Sequence, residues 1–216
     1  MYVRDIMTTN VVTIPSNANI LKARRVMELS RFRRLPVVDK GKLVGIITAD
    51  RLERVALPEA AQGMWELTYS LGSLYRTKVK HVMQKEVVTA TPDMTIEEAL
   101  AIAQTNKVGS LVVVDDGSKV AGIVTTNDFF YRIVNPVLGV GEPGKRIWVA
   151  GGGESKALEK VISTINRLCL EIVTLHIIAA PKATKKDLVV HINYDDVSEL
   201  VAELKAKGYK AESRKR

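Results

Sequence analysis

Cysteine is almost missing from this chain of 216 residues. Cys169 stands alone, so no internal disulfide can form, and the composition suits a reducing compartment. The three histidines are scattered and lack the spacing of metal ligands, so no structural metal is expected. Aromatic residues make up only 5%, which leaves Val, Ile, Leu and Ala to build the cores. No apolar run is long enough to span a bilayer. Met1 to Asp5 carries no apolar signal core, and a cytoplasmic protein away from the membrane is expected. Also missing are a nucleophile placed with a base, a Walker-type loop and a recognisable pair of carboxylates. These absences point away from an enzyme, and no catalytic cofactor is expected.

What is present is an ordinary hydrophobic fraction of 46% and a formal charge of +8. The length suggests about two cores. The base is spread along the chain, with one dense stretch at Lys22, Arg24, Arg25, Arg31, Arg33 and Arg34. That stretch reads as the solvated face of a helix plus a turn. Nucleic acid is therefore not the expected partner, although a nucleic-acid-binding regulator using this surface is the alternative. Ser213 to Arg216 reads as a frayed basic tail.

The strongest signal is a repeat. Met7 matches Met83, and Val11-Val12-Thr13 matches Val87-Val88-Thr89. Leu35, Val37, Val38, Asp39 and Gly41 match Leu111, Val113, Val114, Asp115 and Gly117. After one extra residue near Ser118, Gly45-Ile46 and Thr48 match Gly122-Ile123 and Thr125. Such duplication predicts equivalent ligand sites related by a pseudo-twofold axis, in a cleft between the copies.

Each copy reads as β-α-β-β-α. Asn19 and Thr95 are the expected helix N-caps, the latter in a capping box with Glu98. Ile20, Ala23, Val26 and Met27, and in the second copy Ile96, Ala99, Leu100 and Ala103, mark buried stripes at helical spacing. Two strands around a Gly-containing turn then form a hairpin. Residues 1–57 and 79–138 are the two repeats. Between them, 58–78 reads as a bridging helix with Met64, Trp65, Leu67, Leu71, Leu74 and Tyr75. Residues 139–145 form a Gly/Pro linker. Residues 146–216 give β-α-β-β-α-β, the ferredoxin-like order. The overall class is α+β, with tandem repeats and a C-terminal ferredoxin-like unit.

The repeat resembles the CBS domain, and the pair resembles a CBS (Bateman) module. The residues that carry the likeness are Leu35-Pro36-Val37-Val38-Asp39 with Gly45-Ile46-Ile47-Thr48, and Leu111-Val112-Val113-Val114-Asp115 with Gly122-Ile123-Val124-Thr125-Thr126-Asn127-Asp128. The C-terminal unit resembles an ACT domain. The order as a whole is similar to CBS–ACT proteins associated with acetoin utilisation. The likeness implies an adenosine-containing regulatory ligand (AMP, ADP, ATP or S-adenosylmethionine) in the cleft between the copies, a homodimer, and an unidentified regulated partner.

On that footing, Ser110, Leu111 and Val113 would offer adenine a flat apolar slot, closed by Thr89 and Ala90. Asp128 would accept both ribose hydroxyls, or would simply cap its helix. Thr125 and Asn127 would bond ribose or phosphate oxygens at a helix start that favours anions. Thr13, Ile14, Pro36 and Thr48 are the first-copy counterparts. There Arg51 falls where the second copy has Asp128, with Asp50 one residue early. Arg51 and Arg34 either hold phosphates of a ligand bound mainly by the second copy or face solvent. In the C-terminal unit, Lys156 stands where amino-acid-binding ACT domains approach their ligand with glycine. A dimerisation role is preferred there, with amino-acid binding as the alternative, and Gly151 to Gly153 could form an anion nest. His176 and His191 read as ordinary sheet residues.

Overall fold

The computed structural model describes residues 1–56, 75–179 and 184–214. The expected bridging helix falls almost wholly on residues 57–74, outside the described residues. The chain divides into two compact units, Met1–Phe129 and Phe130–Arg216.

The first unit holds both repeats. Repeat 1 comprises α1 (Val3–Ile6), α2 (Ile20–Ser30), β1 (Arg34–Asp39), β2 (Lys42–Thr48) and α3 (Ala49–Ala56). Repeat 2 comprises α4 (Val79–Val82), β3 (Thr89–Ala90), α5 (Ile96–Thr105), β4 (Ser110–Val114), β5 (Val120–Thr125) and α6 (Thr126–Phe129). The predicted caps form: Asn19 accepts from the Lys22 amide at 2.8 Å, and Thr95 Oγ1 from the Glu98 amide at 3.3 Å. Ile20, Ala23 and Met27 turn inward against Leu35, Val37 and Ile47, the pattern the helical spacing predicted. Each large side chain buried in this way contributes about 1.5–3 kcal/mol.

The two hairpins share a register. Arg34 pairs with Thr48 as Ser110 pairs with Thr125, and Val37 with Gly45 as Val113 with Gly122. Both ladders then shift, after Val37 and after Val113. The turns differ. Lys40 and Gly41, at φ 49° and 81°, make a two-residue turn with both residues left-handed. The second copy needs its extra residue because Ser118, at φ 62°, completes a longer loop closed on Asp115.

The arms leading into the repeats are exchanged. Thr8, just after α1, pairs with Ile123 of repeat 2, and Gln84, just after α4, pairs with Ile46 of repeat 1. Lys42 pairs with Lys119, its own counterpart, so the pseudo-twofold axis passes between them.

The second unit opens with a π-helical turn (Phe130–Val134) and α7 (Asn135–Val137). It continues with β6 (Lys145–Val149), α8 (Ser155–Arg167), β7 (Ile172–Ile178), β8 (Asp187–Ile192), α9 (Ser198–Ala206) and β9 (Ala211–Arg214). The sheet order is β7-β8-β6-β9, antiparallel throughout, which is the ferredoxin-like arrangement expected from the sequence. Val161 and Ile165 of α8, with Leu200 and Leu204 of α9, bury against Ile147, Val149, Leu188, Val190 and Ile192.

Two expectations are corrected here. Ser213 and Arg214 are not frayed tail: they pair with Ile147 and Arg146 in β9, and the Arg214 guanidinium lies 5.1 Å from the centre of the Trp148 ring. The stretch 139–144 is not a free linker. Gly139 approaches so closely that a β-carbon on it would stand 2.6 Å from His191 Nδ1, and the Pro143 carbonyl lies 2.8 Å from His191 Nε2.

Candidate functional site

The repeats enclose a cavity of about 490 Å³. One wall is repeat 1, through Thr8, Asn10, Val11 and Val12 and then Arg31 to Arg34 and Pro36. The other is the end of β5 and the start of α6 in repeat 2, through Ile123 and Thr125 to Asp128. The exchanged arm explains this pairing of walls. Once Thr8 is tied to Ile123, the chain from Asn10 to Val12 must run past the end of β5.

Thr125 and Asp128 form a reciprocal pair at the head of α6. Asp128 Oδ2 accepts from the Thr125 amide at 2.8 Å and from Thr125 Oγ1 at 2.7 Å, while the Asp128 amide donates to Thr125 Oγ1 at 3.4 Å. This is a capping box with aspartate in the third position. Asp128 therefore caps its helix and also lines the cavity.

Repeat 1 keeps half of that device. The Arg51 amide donates to Thr48 Oγ1 at 3.3 Å, as Asp128 does to Thr125. With the matching strand register, this puts Arg51 on the place of Asp128 with no gap. Asp50 does not replace it: it accepts from Arg33 at 2.7 Å, with both side chains largely exposed. Thr48, Asp50 and Arg51 do not line the cavity.

Five of the expected site residues meet at the cavity: Arg34, Pro36, Thr125, Asn127 and Asp128. The expected adenine slot is not there. Leu111 and Val113 are fully buried, and so is Val112 between them. Successive strand residues face opposite sides, so β4 is covered on both faces and offers no open apolar surface. Ala90 and Ile14 are core residues for the same reason, and Ser110 is buried beside them. Thr13 is half-buried next to Ile14, whose amide and carbonyl are paired with β1. Thr89 lines a separate hollow of about 280 Å³ with Leu43 and Val44.

Reasoning from the sequence missed Thr8, Asn10, Val11 and Val12. Arg31 and Arg33 were visible only as charge. Arg31 ends α2 in the left-handed conformation at φ 54°, which turns the chain back toward β1 and brings Arg33 and Arg34 to the cavity. The solvated-face reading holds for Arg24, paired with Glu28 at 2.8 Å.

Elsewhere in the first unit, Asp39 accepts from Ser16 Oγ at 2.6 Å and from the Ser16 amide at 3.1 Å. These bonds, the hydroxyl's first, hold its carboxyl below the ordinary aspartate range. The Ser198 hydroxyl, and after it the Ser198 amide at 3.0 Å, do the same to Asp196 at the head of α9.

In the second unit the amides of the glycine loop are engaged internally. Gly151 donates to Asp187 Oδ1 at 2.9 Å, Gly152 to the Val149 carbonyl and Gly153 to the Lys186 carbonyl. The loop is therefore not an open anion nest. His191 is buried as a sheet residue. Among the described residues no three side chains are grouped to hold a metal ion, and no helix is long and apolar enough to cross a membrane.

Comparison with known proteins places these features. A family model described as CBS domain matches residues 3–57 and 79–135. The uncharacterised protein MJ1426 of Methanocaldococcus jannaschii is 30% identical over 155 residues, which is 62% of this chain and 92% of that one. The inosine-5'-monophosphate dehydrogenase of the same organism is 32% identical over 150 residues, 69% of this chain and 27% of the enzyme. The chain spans less than half the length of several curated relatives it matches, among them 44% of MJ1225. The CBS domain pair of protein MJ0100, solved with 5'-methylthioadenosine and S-adenosyl-L-methionine, is 26% identical with a TM-score of 0.51 and covers 62% of this chain and 97% of that one. A Vibrio cholerae protein assigned to acetoin utilization (AcuB) is 26% identical with a TM-score of 0.53 and covers 66% of this chain and 98% of that one.

Proposed function

Because this chain belongs to the CBS-domain family, we propose that it is a regulatory protein that binds an adenosine-containing ligand in the cavity between its repeats. One observation carries this reading: the Thr125–Asp128 turn of repeat 2 faces Arg31, Arg33 and Arg34 of repeat 1 across about 490 Å³. That volume lies within the range of small-molecule sites. The Asp128 carboxylate is the group suited to accept from two adjacent ribose hydroxyls. The arginines sit at a distance in the sequence yet on the same cavity, so a ligand there touches both repeats at once. The solved MJ0100 pair, with its adenosine compounds, supports the ligand class.

The ligand does no chemistry here. It shifts the balance between two arrangements of the repeats, by as much as its affinity for them differs. The similarity to AcuB supports a link to acetoin metabolism. The βαββαβ order of the second unit supports reading it as an ACT-like domain; joining two chains into a dimer is the role proposed for it, and the cytoplasm the location proposed for the protein. The regulated partner is a separate protein that reads the change.

Isothermal calorimetry of the purified chain against AMP, ADP, ATP and S-adenosylmethionine tests the binding. Saturable heat with at least one of them, weakened in Asp128→Asn, supports the reading. Asparagine keeps one acceptor oxygen for the Thr125 amide, removes the charge and replaces the second oxygen with an amide donor. Silence from all four ligands would remove the sensing function.

A further inference from the structure

We infer that this cavity prefers adenosine ligands that carry phosphate over neutral nucleosides and over the sulfonium cation S-adenosylmethionine, and that Gly109 sets the preference by seating Arg34. The inference rests on reading the cavity as the adenosine site, and it goes further by choosing among the ligands.

Charge is the first observation. Three arginines and one carboxylate line the cavity. Arg33 is paired with Asp50, and Asp128, hydrogen-bonded to Thr125, keeps its negative charge. Arg31 and Arg34 have no ion pair with any carboxylate among the described residues. These two guanidinium groups outweigh the single Asp128 carboxylate, and the net positive charge of a partly enclosed site attracts phosphate and repels a sulfonium.

Space is the second. Arg34 belongs to repeat 1, yet its guanidinium lies against the main chain of repeat 2. A β-carbon on Gly109 would stand 2.9 Å from Arg34 Nη2 and 3.5 Å from Thr126 Oγ1. The Gly109 carbonyl also accepts from Thr126 Oγ1 at 3.1 Å and from the Thr126 amide at 3.2 Å. The missing side chain therefore makes the notch in which the guanidinium rests, beside the Thr125–Asp128 turn. Gly109 does not have the left-handed backbone that would itself call for glycine. Room for Arg34 is what glycine supplies at this position. Its counterpart in repeat 1 is Arg33, so the notch exists on one side of the pseudo-twofold axis only.

The test compares adenosine, AMP, ADP, ATP and S-adenosylmethionine by calorimetry with the wild-type chain, Arg34→Ala and Gly109→Ala. In the wild type at least one phosphorylated ligand should bind about tenfold or more tightly than adenosine and S-adenosylmethionine, the scale of one hydrogen bond between charged groups. Arg34→Ala should bring that ratio close to one by weakening the phosphorylated ligands more than adenosine. Gly109→Ala should do the same while its thermal midpoint stays at the wild-type value, because the added methyl meets only the tip of a flexible side chain. Binding of AMP, ADP and ATP by the wild type no tighter than that of adenosine or S-adenosylmethionine would overturn the phosphate preference and leave the adenosine site standing. An intact preference in folded Gly109→Ala would overturn the role of Gly109. Failure of all five ligands to bind would overturn the adenosine site itself, and the preference with it.

Discussion

The Met7 thioether sits over Gly122 so closely that a β-carbon there would lie 2.5 Å from its sulfur. The same contact recurs across the axis, where a β-carbon on Gly45 would stand 2.6 Å from the Met83 sulfur. Each arm thus lays its methionine on the glycine of the other repeat. Main chain follows close behind: the Thr8 carbonyl oxygen would be 3.1 Å from the first β-carbon and the Gln84 carbonyl oxygen 2.9 Å from the second. Backbone cannot step aside as a methionine can. Gly122→Ala and Gly45→Ala should each destabilise the first unit by about 1–3 kcal/mol, as overpacking does. Chemical denaturation measures it, and Met7→Ala placed on Gly122→Ala should recover part of the loss.

Arg51 offers a gain instead. It stands in the first turn of α3, where a cation opposes the helix dipole, and it leaves the capping box of Thr48 half-made. Arg51→Asp should complete the box on the pattern of Thr125 and Asp128. The expected increase is about 0.5–1 kcal/mol in denaturation free energy. An unchanged or lower stability would show that the two repeats are not equivalent at this turn.

Acid should weaken the fold through Asp39 and Asp196. Both carboxyls titrate below the ordinary 3.8 in the folded chain, because hydroxyl and amide donors of Ser16 and Ser198 favour the charged form. A carboxyl depressed on folding adds stability above its unfolded value and loses it as pH falls through the folded one. Stability should therefore be flat in the mildly acidic range and decline below about pH 4. Asp39→Asn should shallow that decline, and Ser16→Ala should do so as well. A decline of unchanged steepness in both variants would remove this pair from the acid response.

His191 tests the second unit. Its Nε2 lies 2.8 Å from the Pro143 carbonyl, and its exposure is 1%. His191→Leu fills much of the space but leaves that carbonyl without its side-chain donor. The expected cost is about 1–3 kcal/mol, read from thermal or chemical unfolding.

The sequence made the repeats, their caps and the βαββαβ order legible, because each depends on local pattern. Helical spacing at Ile20, Ala23 and Met27 and strand-turn-strand texture around Gly41 report burial within one element. What pattern does not carry is the identity of the partner. Nothing in Thr8 announces that it pairs with Ile123 of the other repeat, and so the wall from Asn10 to Val12 went unseen. The run Leu111 to Val113 was equally ambiguous. An apolar strand can line a slot or be sealed on both faces, and here it is sealed. Asp128 offered two readings in the sequence; the structure shows the helix cap and sets the same carboxylate on the cavity wall.

The central claim is that one adenosine ligand lies between the repeats, with ribose at Asp128 and its far end toward Arg34. A crystal structure of the full chain grown with AMP tests it most directly. The expected result is a single nucleotide per chain, touching Asp128 on one side and repeat 1 on the other. A nucleotide seated instead at Thr48 and Arg51, or an empty cavity at saturating AMP, would contradict it.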